Sequence, residues 1–574
     1  MTDPRRITVR FGGASSGSGP LTLGQDNMIR CIRRDAPEQI NKESVWPVPD
    51  GTTLPAALDA LRALAERHES LRTVFPPGPD GFPDRQEIRG EGEFTVTAID
   101  AGSREGAELD QLADELARAD VAVPFDLTTG VRLRFTLLTQ EDLVLRLIVV
   151  VCHAGADGAA ATLLIQDWTD LAAGKELPPS TARTPLEVAA QEATAQGRRK
   201  AAASLQHWER LLTTGPQAVF ADSRITGPAE AVGVALLRSR SAAEDLAAAS
   251  VRTGSSPSVV LLAAFSALVA QRADRSDLVF AALSANRQRS VMADHIGTLA
   301  QDALIALDTD ATDLDELIGR AKAASFTGYW HSTLDAGKVW QLIEDVAHRR
   351  GARFARQVVV NDLSLTIPEA VSESRPAPQS DPELFWLPDQ RIPVRIMFNI
   401  LRIAGRLEFV LVACPQVLDR AEAEQFAHGL LAVLKAAARG PVPLAELPAL
   451  TGLRPVGRDG DWHLIDGCWI DLAAVRALVG DALGPGVAVQ VTVAGGRLVA
   501  RLATADPALT PTAAHRAVIA ELPGHDTAMA PHHYLVHRVP AGTPQPGTPQ
   551  FGEALSGDTL PPAAEGDGRE TEAG

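Results

Sequence analysis

Only four cysteines are spread over 574 residues, and Cys31, Cys152, Cys414 and Cys468 lie too far apart for a CxxC metal knuckle or a dense disulfide framework. A reducing cytoplasm fits such usage. Positive charge is also short: 54 Lys and Arg stand against 72 Asp and Glu, a net charge of −18. A field of that sign repels phosphate backbones and anionic headgroups, so neither nucleic acid nor a membrane surface is an expected partner. Long apolar runs are missing as well. The longest, Val259 to Ala270, is about 12 residues with Ser266 inside it, against roughly 20 for a bilayer span, and it reads as a buried helix. The opening residues, Met1 to Phe11, are charged and alternating, without the apolar core of a secretory signal, and read as a first strand. What is present is ordinary for a folded protein, 45% hydrophobic and 22% charged. The length exceeds what one core supports, so two or more domains are expected.

Gly12 to Pro20 reads as a flexible Gly/Ser connector. Leu54 to Glu69 carries Leu58, Leu61 and Leu64 at helical spacing and leads into Leu71-Arg-Thr-Val-Phe75, which has strand composition. Leu133 to Leu138 and Leu143 to Val151 are apolar stretches split by Thr139-Gln-Glu-Asp142, a hairpin whose second strand is largely buried. A helix follows from about Ala159 to Leu171. The stretch from Glu176 to Gly197 has no strand pattern and reads as a crossover to a second lobe. That lobe holds the buried helix, strands at Leu278 to Leu283, Gln357 to Val360, Val394 to Leu401 and Leu407 to Ala413, and a helix from Arg420 to Arg439, an α/β arrangement. Gly440-Pro-Val-Pro443 and Pro448 mark a boundary. Residues 451–540 form a smaller α+β unit, and from Ala541 the composition predicts a disordered tail.

Chemistry is concentrated at Val149-Val-Val-Cys-His-Ala-Gly-Ala-Asp-Gly158, an imidazole at the end of a buried strand followed four residues later by Asp-Gly. The strand fixes the His153 backbone, and the small residues after it let the chain turn without filling the space beside the ring. Gly158 is read as permitting a sharp reversal. Asp157 is read as holding the loop through an Arg or backbone N–H groups. With a reference pKa of about 6.5, His153 is largely neutral at cytoplasmic pH and able to take a proton from an amine or alcohol. A lone His at a strand end is also a common hydrogen-bonded core residue.

Cys152-His-Ala-Gly-Ala-Asp-Gly158 resembles the HHxxxDG signature of nonribosomal peptide synthetase condensation domains and their acyltransferase relatives. Other segments match in chain order. Leu21-Thr-Leu-Gly-Gln25 is similar to the first condensation motif, and Arg67-His-Glu-Ser-Leu-Arg-Thr-Val-Phe75 to the second, RHExLRTxF. Ser284-Ala-Asn-Arg287 and Ile296-Gly297 are similar to the later "aNR … vG" segment. The resemblance covers roughly residues 7 to 448 and implies two chloramphenicol-acetyltransferase-like lobes, 1–180 and 181–448, forming a V with a central tunnel. It makes His153 the catalytic residue, with Cys152, Asp157, Gly158 and Arg287 as structural residues of the active site. Arg67 and Arg72 are expected to pair with carboxylates.

The resemblance further implies a monomeric enzyme that joins an acyl or aminoacyl thioester, held on a carrier protein's phosphopantetheine arm, to a small-molecule or carrier-bound amine. It implies no metal and no cofactor bound by the protein itself. The same lobes serve ester-forming or coenzyme A-dependent acyltransferases, and a non-catalytic scaffold that recruits partner proteins is the alternative from another class. Two departures stand out: Cys152 replaces the first His of the signature, and Thr298-Leu-Ala-Gln301 replaces the usual "F-V-N" after the vG segment. Gly457 to Val475 and Leu522 to Val536 resemble the small C-terminal subdomain of adenylation domains, but Thr548 stands where that family has its catalytic Lys, so adenylation is not expected. The unit reads as a docking or stabilising appendage.

Overall fold

The computed structural model describes residues 4–13, 15–229, 231–287, 290–366, 380–539 and 562–569. The first sheet has five strands in the order Arg5–Gly12, Glu91–Asp100, Leu133–Gln140, Leu143–Val151, Lys42–Trp46. One face packs on the helices Leu54–Arg67 and Gly158–Ala172 through Trp46, Leu61, Leu64, Leu147, Val149, Val151, Leu164 and Trp168. The other takes the helix Gly106–Val121 through Leu109, Leu112 and Ile148. Coverage on both faces explains why Leu143–Val151 is almost continuously apolar.

The second sheet has seven strands, in the order Gln301–Asp308, Asp277–Ser284, Val358–Asp362, Ile396–Arg402, Leu407–Ala413, Val232–Ser239, Glu383–Gln390. The run read as a buried helix is Pro257–Ala273, buried on nearly every side between the sheet and the helices Arg240–Thr253, Leu314–Trp330 and Arg420–Ala437. Its uniform apolarity is that of a core helix. Among the described residues, no single helix is long and apolar enough to cross a membrane.

Two expectations are corrected. Gly12 to Pro20 is not a loose connector, because Gly17–Pro20 is a strand paired antiparallel with Arg85–Ile88. Its glycines make room: a Cβ on Gly17 or Gly19 would come within 2.9 or 2.8 Å of the Leu186 methyls. The tail is not without structure throughout either, since Ala564–Gly566 pairs with Tyr534–Val536 and closes the edge of the C-terminal sheet. Backbone pairing to an existing edge needs little from the added side chains, which is why Pro, Gly and acidic composition hides it. Thr548 lies outside the described residues.

The C-terminal unit packs the helices Leu472–Leu483 and Pro511–Glu521 on the sheet Val487–Ala494, Arg497–Thr504, His533–Arg538, Ala564–Gly566. Polar contacts tie it to the second sheet's unit. Gln217 Nε2 donates to the carbonyls of Asp526 and Ala528 at 3.0 and 2.8 Å, and the Asp526 carboxylate accepts from Gln357 and Arg395 at 2.8 and 3.2 Å.

Candidate functional site

His153 follows the C-terminal end of the strand Leu143–Val151, which is fixed on both edges by pairing with Leu133–Gln140 and Lys42–Trp46. The pleat separates it from its neighbour. Cys152 is fully buried against Ile29, Phe75 and Ala154, while the His153 ring is half-buried. The four cysteines are free.

The turn after His153 is shaped by Arg132. A Cβ on Gly155 would come within 2.7 Å of Arg132 Cγ, and the buried Arg132 guanidinium donates to the carbonyls of Asp126, Thr129 and Gly130. The small residues thus admit an arginine that stiffens the segment before the hairpin. Gly158 is not a reversal: it is the first residue of the helix Gly158–Ala172, its φ lies outside the left-handed region, and a Cβ there would only touch Leu363 at 4.0 Å.

Asp157 is the structural centre of the junction between the two sheets' units. Its Oδ1 caps the helix by accepting from Ala160 N at 3.0 Å. Its Oδ2 accepts from Arg287 Nη1 at 2.7 Å, Leu299 N at 2.9 Å and Ala300 N at 3.1 Å. Arg287 also donates to the carbonyls of His295 and Gly297. Burial alone would raise the Asp157 carboxyl, but the Arg287 charge and these hydrogen bonds outweigh it and hold the pKa below the usual carboxylate range. Both carboxylate oxygens are occupied by structural donors.

Burial pushes the His153 pKa down, the Lys42 ammonium adds to that effect, and the Asp157 carboxylate opposes it. The ring is therefore neutral at neutral pH. Its Nδ1 is buried and has no hydrogen-bond partner of normal geometry.

The other arginines divide. Arg67 pairs with Asp167 at 2.9 Å, beside His68 on the same carboxylate at 2.7 Å. Arg72, expected to meet a carboxylate, instead donates to the carbonyls of Ala65, Ser15, Glu66 and Arg89 and to the Ser15 hydroxyl. It lies where three segments converge, at Ser15, at Ala65 and Glu66, and at Arg89, and carbonyl oxygens supply most of the acceptors. Sequence reasoning also missed Lys42, which looks like a surface charge, and the Leu299 and Ala300 amides, which carry no side-chain signal. Among the described residues, no group of three His, Cys, Asp or Glu side chains is placed to hold a metal.

The condensation-domain family model matches residues 39–445, and the chain belongs to that family. It is 30% identical over 260 residues to phosphinothricin tripeptide synthetase PhsC of Streptomyces viridochromogenes, covering 43% of this chain and 24% of that one. It is 27% identical over 179 residues to bacitracin synthase 2 of Bacillus licheniformis, covering 31% of this chain and 6% of that one. The chain thus spans a quarter or less of these two relatives. Among solved structures, SgcC5 from Streptomyces globisporus matches with a TM-score of 0.55 at 19% identity, over 74% of this chain and all of that one. The condensation domain of the monacolin K polyketide synthase MokA matches with a TM-score of 0.59 at 16% identity, over 75% of this chain and 99% of that one. These likenesses identify the chloramphenicol-acetyltransferase-like condensation fold.

Proposed function

We propose that this chain is a free-standing condensation enzyme that forms an amide from a carrier-bound acyl or aminoacyl thioester and an amine. The reading rests on one observation above the others: a neutral imidazole at a strand end, beside a junction whose carboxylate is fully used in holding the two units together. The amine nitrogen attacks the thioester carbonyl carbon, the carbon–sulfur bond breaks, and the amine's proton passes through the His153 ring to the departing thiolate. The donor is already activated, so alignment carries most of the work. Orientation is worth roughly 7–11 kcal/mol of barrier, against about 3–5 for a general base. A shared Asp157–Arg287 clamp between the units serves that alignment. In this reading the two phosphopantetheine arms approach His153 from opposite sides, and Arg287 and Gly158 shape the passage without touching the reacting atoms. The C-terminal unit stabilises or docks.

The test is intact-mass analysis of acyl-loaded carrier proteins mixed with amine and alcohol acceptors, comparing the native protein with His153→Ala. Transfer to amines that falls at least tenfold in the variant supports the reading. Transfer only to alcohols, or only from coenzyme A thioesters, moves the chain to another acyltransferase class. Carrier binding without transfer in either form makes it a scaffold.

A further inference from the structure

Lys42 opens the strand Lys42–Trp46 and sits opposite Val151 in the antiparallel pair. Cross-strand partners point to the same face, and here that face carries Val151, Val149 and Trp46 against the helix Gly158–Ala172. His153 comes two residues after Val151, just past the strand end, and the Lys42 charge acts on its ring. The preceding short helix, Pro37–Ile40, reaches the second unit, since Gln39 Nε2 donates to the Arg391 carbonyl at 2.9 Å.

The surroundings of this ammonium are unusual. Its side chain is solvent-exposed, and desolvation by the protein around it pulls its pKa down. Its hydrogen-bond acceptor is the Gln39 carbonyl at 3.1 Å, and among the described residues no carboxylate lies at ion-pair distance. Glu43, whose charge favours the protonated form, alternates to the opposite face of the strand. An ammonium has three donors, so donors remain for a ligand.

Resting on the reading above, we propose that Lys42 forms an anion subsite beside His153 that receives the free carboxylate of the amine acceptor. The acceptor is then an amino acid, or another amine with an acid group close to its nitrogen. In an amino acid a single carbon separates the nitrogen from the carboxylate carbon, which suits a proton acceptor just past one strand's end and a cation at the start of the neighbouring strand. The thioester donor brings no charge to this place, and a pantetheine arm carries its phosphate at the end remote from the thioester. Arrival of the carboxylate also offsets the Lys42 charge, returning basicity to His153 when the amine is bound.

Binding, read without turnover, keeps this test separate from that of the reaction. Protein labelled with 13C at histidine Cε1 is titrated with N-acetylalanine, N-acetylalaninamide and N-methylsuccinamic acid, following the resonance that His153→Ala removes. The expected result is that N-acetylalanine binds at least tenfold more tightly than its neutral amide. The difference falls below twofold in Lys42→Met and returns in Lys42→Arg. Equal binding of acid and amide, discrimination that survives in Lys42→Met, or preference for the compound with its acid on the acyl side overturns the proposal.

Discussion

Replacing Asp157 by Asn changes two atoms' chemistry and little shape, so its cost can be worked from the contacts. Oδ1 accepts one backbone N–H and Oδ2 accepts the Arg287 guanidinium and two more N–H groups. Asparagine has one oxygen to offer. Turned one way, its NH2 faces Arg287, Leu299 and Ala300; turned the other, it faces Ala160 N. Either way a buried donor meets a donor, and Arg287, itself only 10% exposed at the side chain, loses its counter-charge. Breaking a buried pair by removing one partner costs about 3–5 kcal/mol. A chain of this size unfolds in more than one step, so the readout is local: hydrogen exchange at the Leu299 and Ala300 amides. A loss of about 3 kcal/mol speeds their exchange roughly a hundredfold. Arg287→Met alone is expected to cost less, because Asp157 keeps three N–H donors, and the double variant Asp157→Asn/Arg287→Met less than the sum of the singles. Unchanged protection at both amides, or strict additivity in the double variant, would refute the assignment of Asp157 as the clamp.

Further expectations follow from other sites. Arg72→Met strips the donors from four converging carbonyls and lowers thermal stability by several degrees, with Arg72→Lys recovering only part, since an ammonium cannot span them; full recovery by Lys would contradict the geometry. Gly17→Val pushes a side chain into Leu186 and destabilises by about 1–3 kcal/mol, and Leu186→Ala in the same chain offsets part of that loss, as denaturant titration can show. His295 and His515 are pushed down to about 4 by burial. Unfolded imidazole titrates near 6.5, so between pH 6.5 and 4 the unfolded chain takes up protons that the folded one refuses. Stability therefore falls as pH drops through that window, by up to about 3 kcal/mol per ring, and is flat above pH 7; a melting temperature unchanged between pH 7 and 5 would contradict it. Lys42→Met relieves His153 of a neighbouring cation and shifts the acid limb of kcat/KM to higher pH.

What could be read from the sequence was what local pattern carries. The hairpin Leu133–Gln140 and Leu143–Val151 announces itself by a strand apolar but for Arg146, and Pro257–Ala273 by apolarity on all sides. The motif segments gave His153 and Asp157 their candidacy. The pairing of Asp157 with Leu299 and Ala300 spans more than 140 residues and uses backbone amides, so nothing near either position predicts it. Gly17–Pro20 and Ala564–Gly566 lack β-formers and exist because a neighbouring edge offers hydrogen bonds. Lys42 is informative only once Val151 is known to lie opposite it.

The central claim is that His153 takes the amine's proton in an acyl transfer. The most direct measurement is single-turnover transfer from an acyl-loaded carrier protein to an amine, followed by intact mass for the native protein and His153→Ala, with carrier binding measured on the same samples. The account predicts at least a tenfold fall in rate with binding unchanged; equal rates in the two proteins would contradict it.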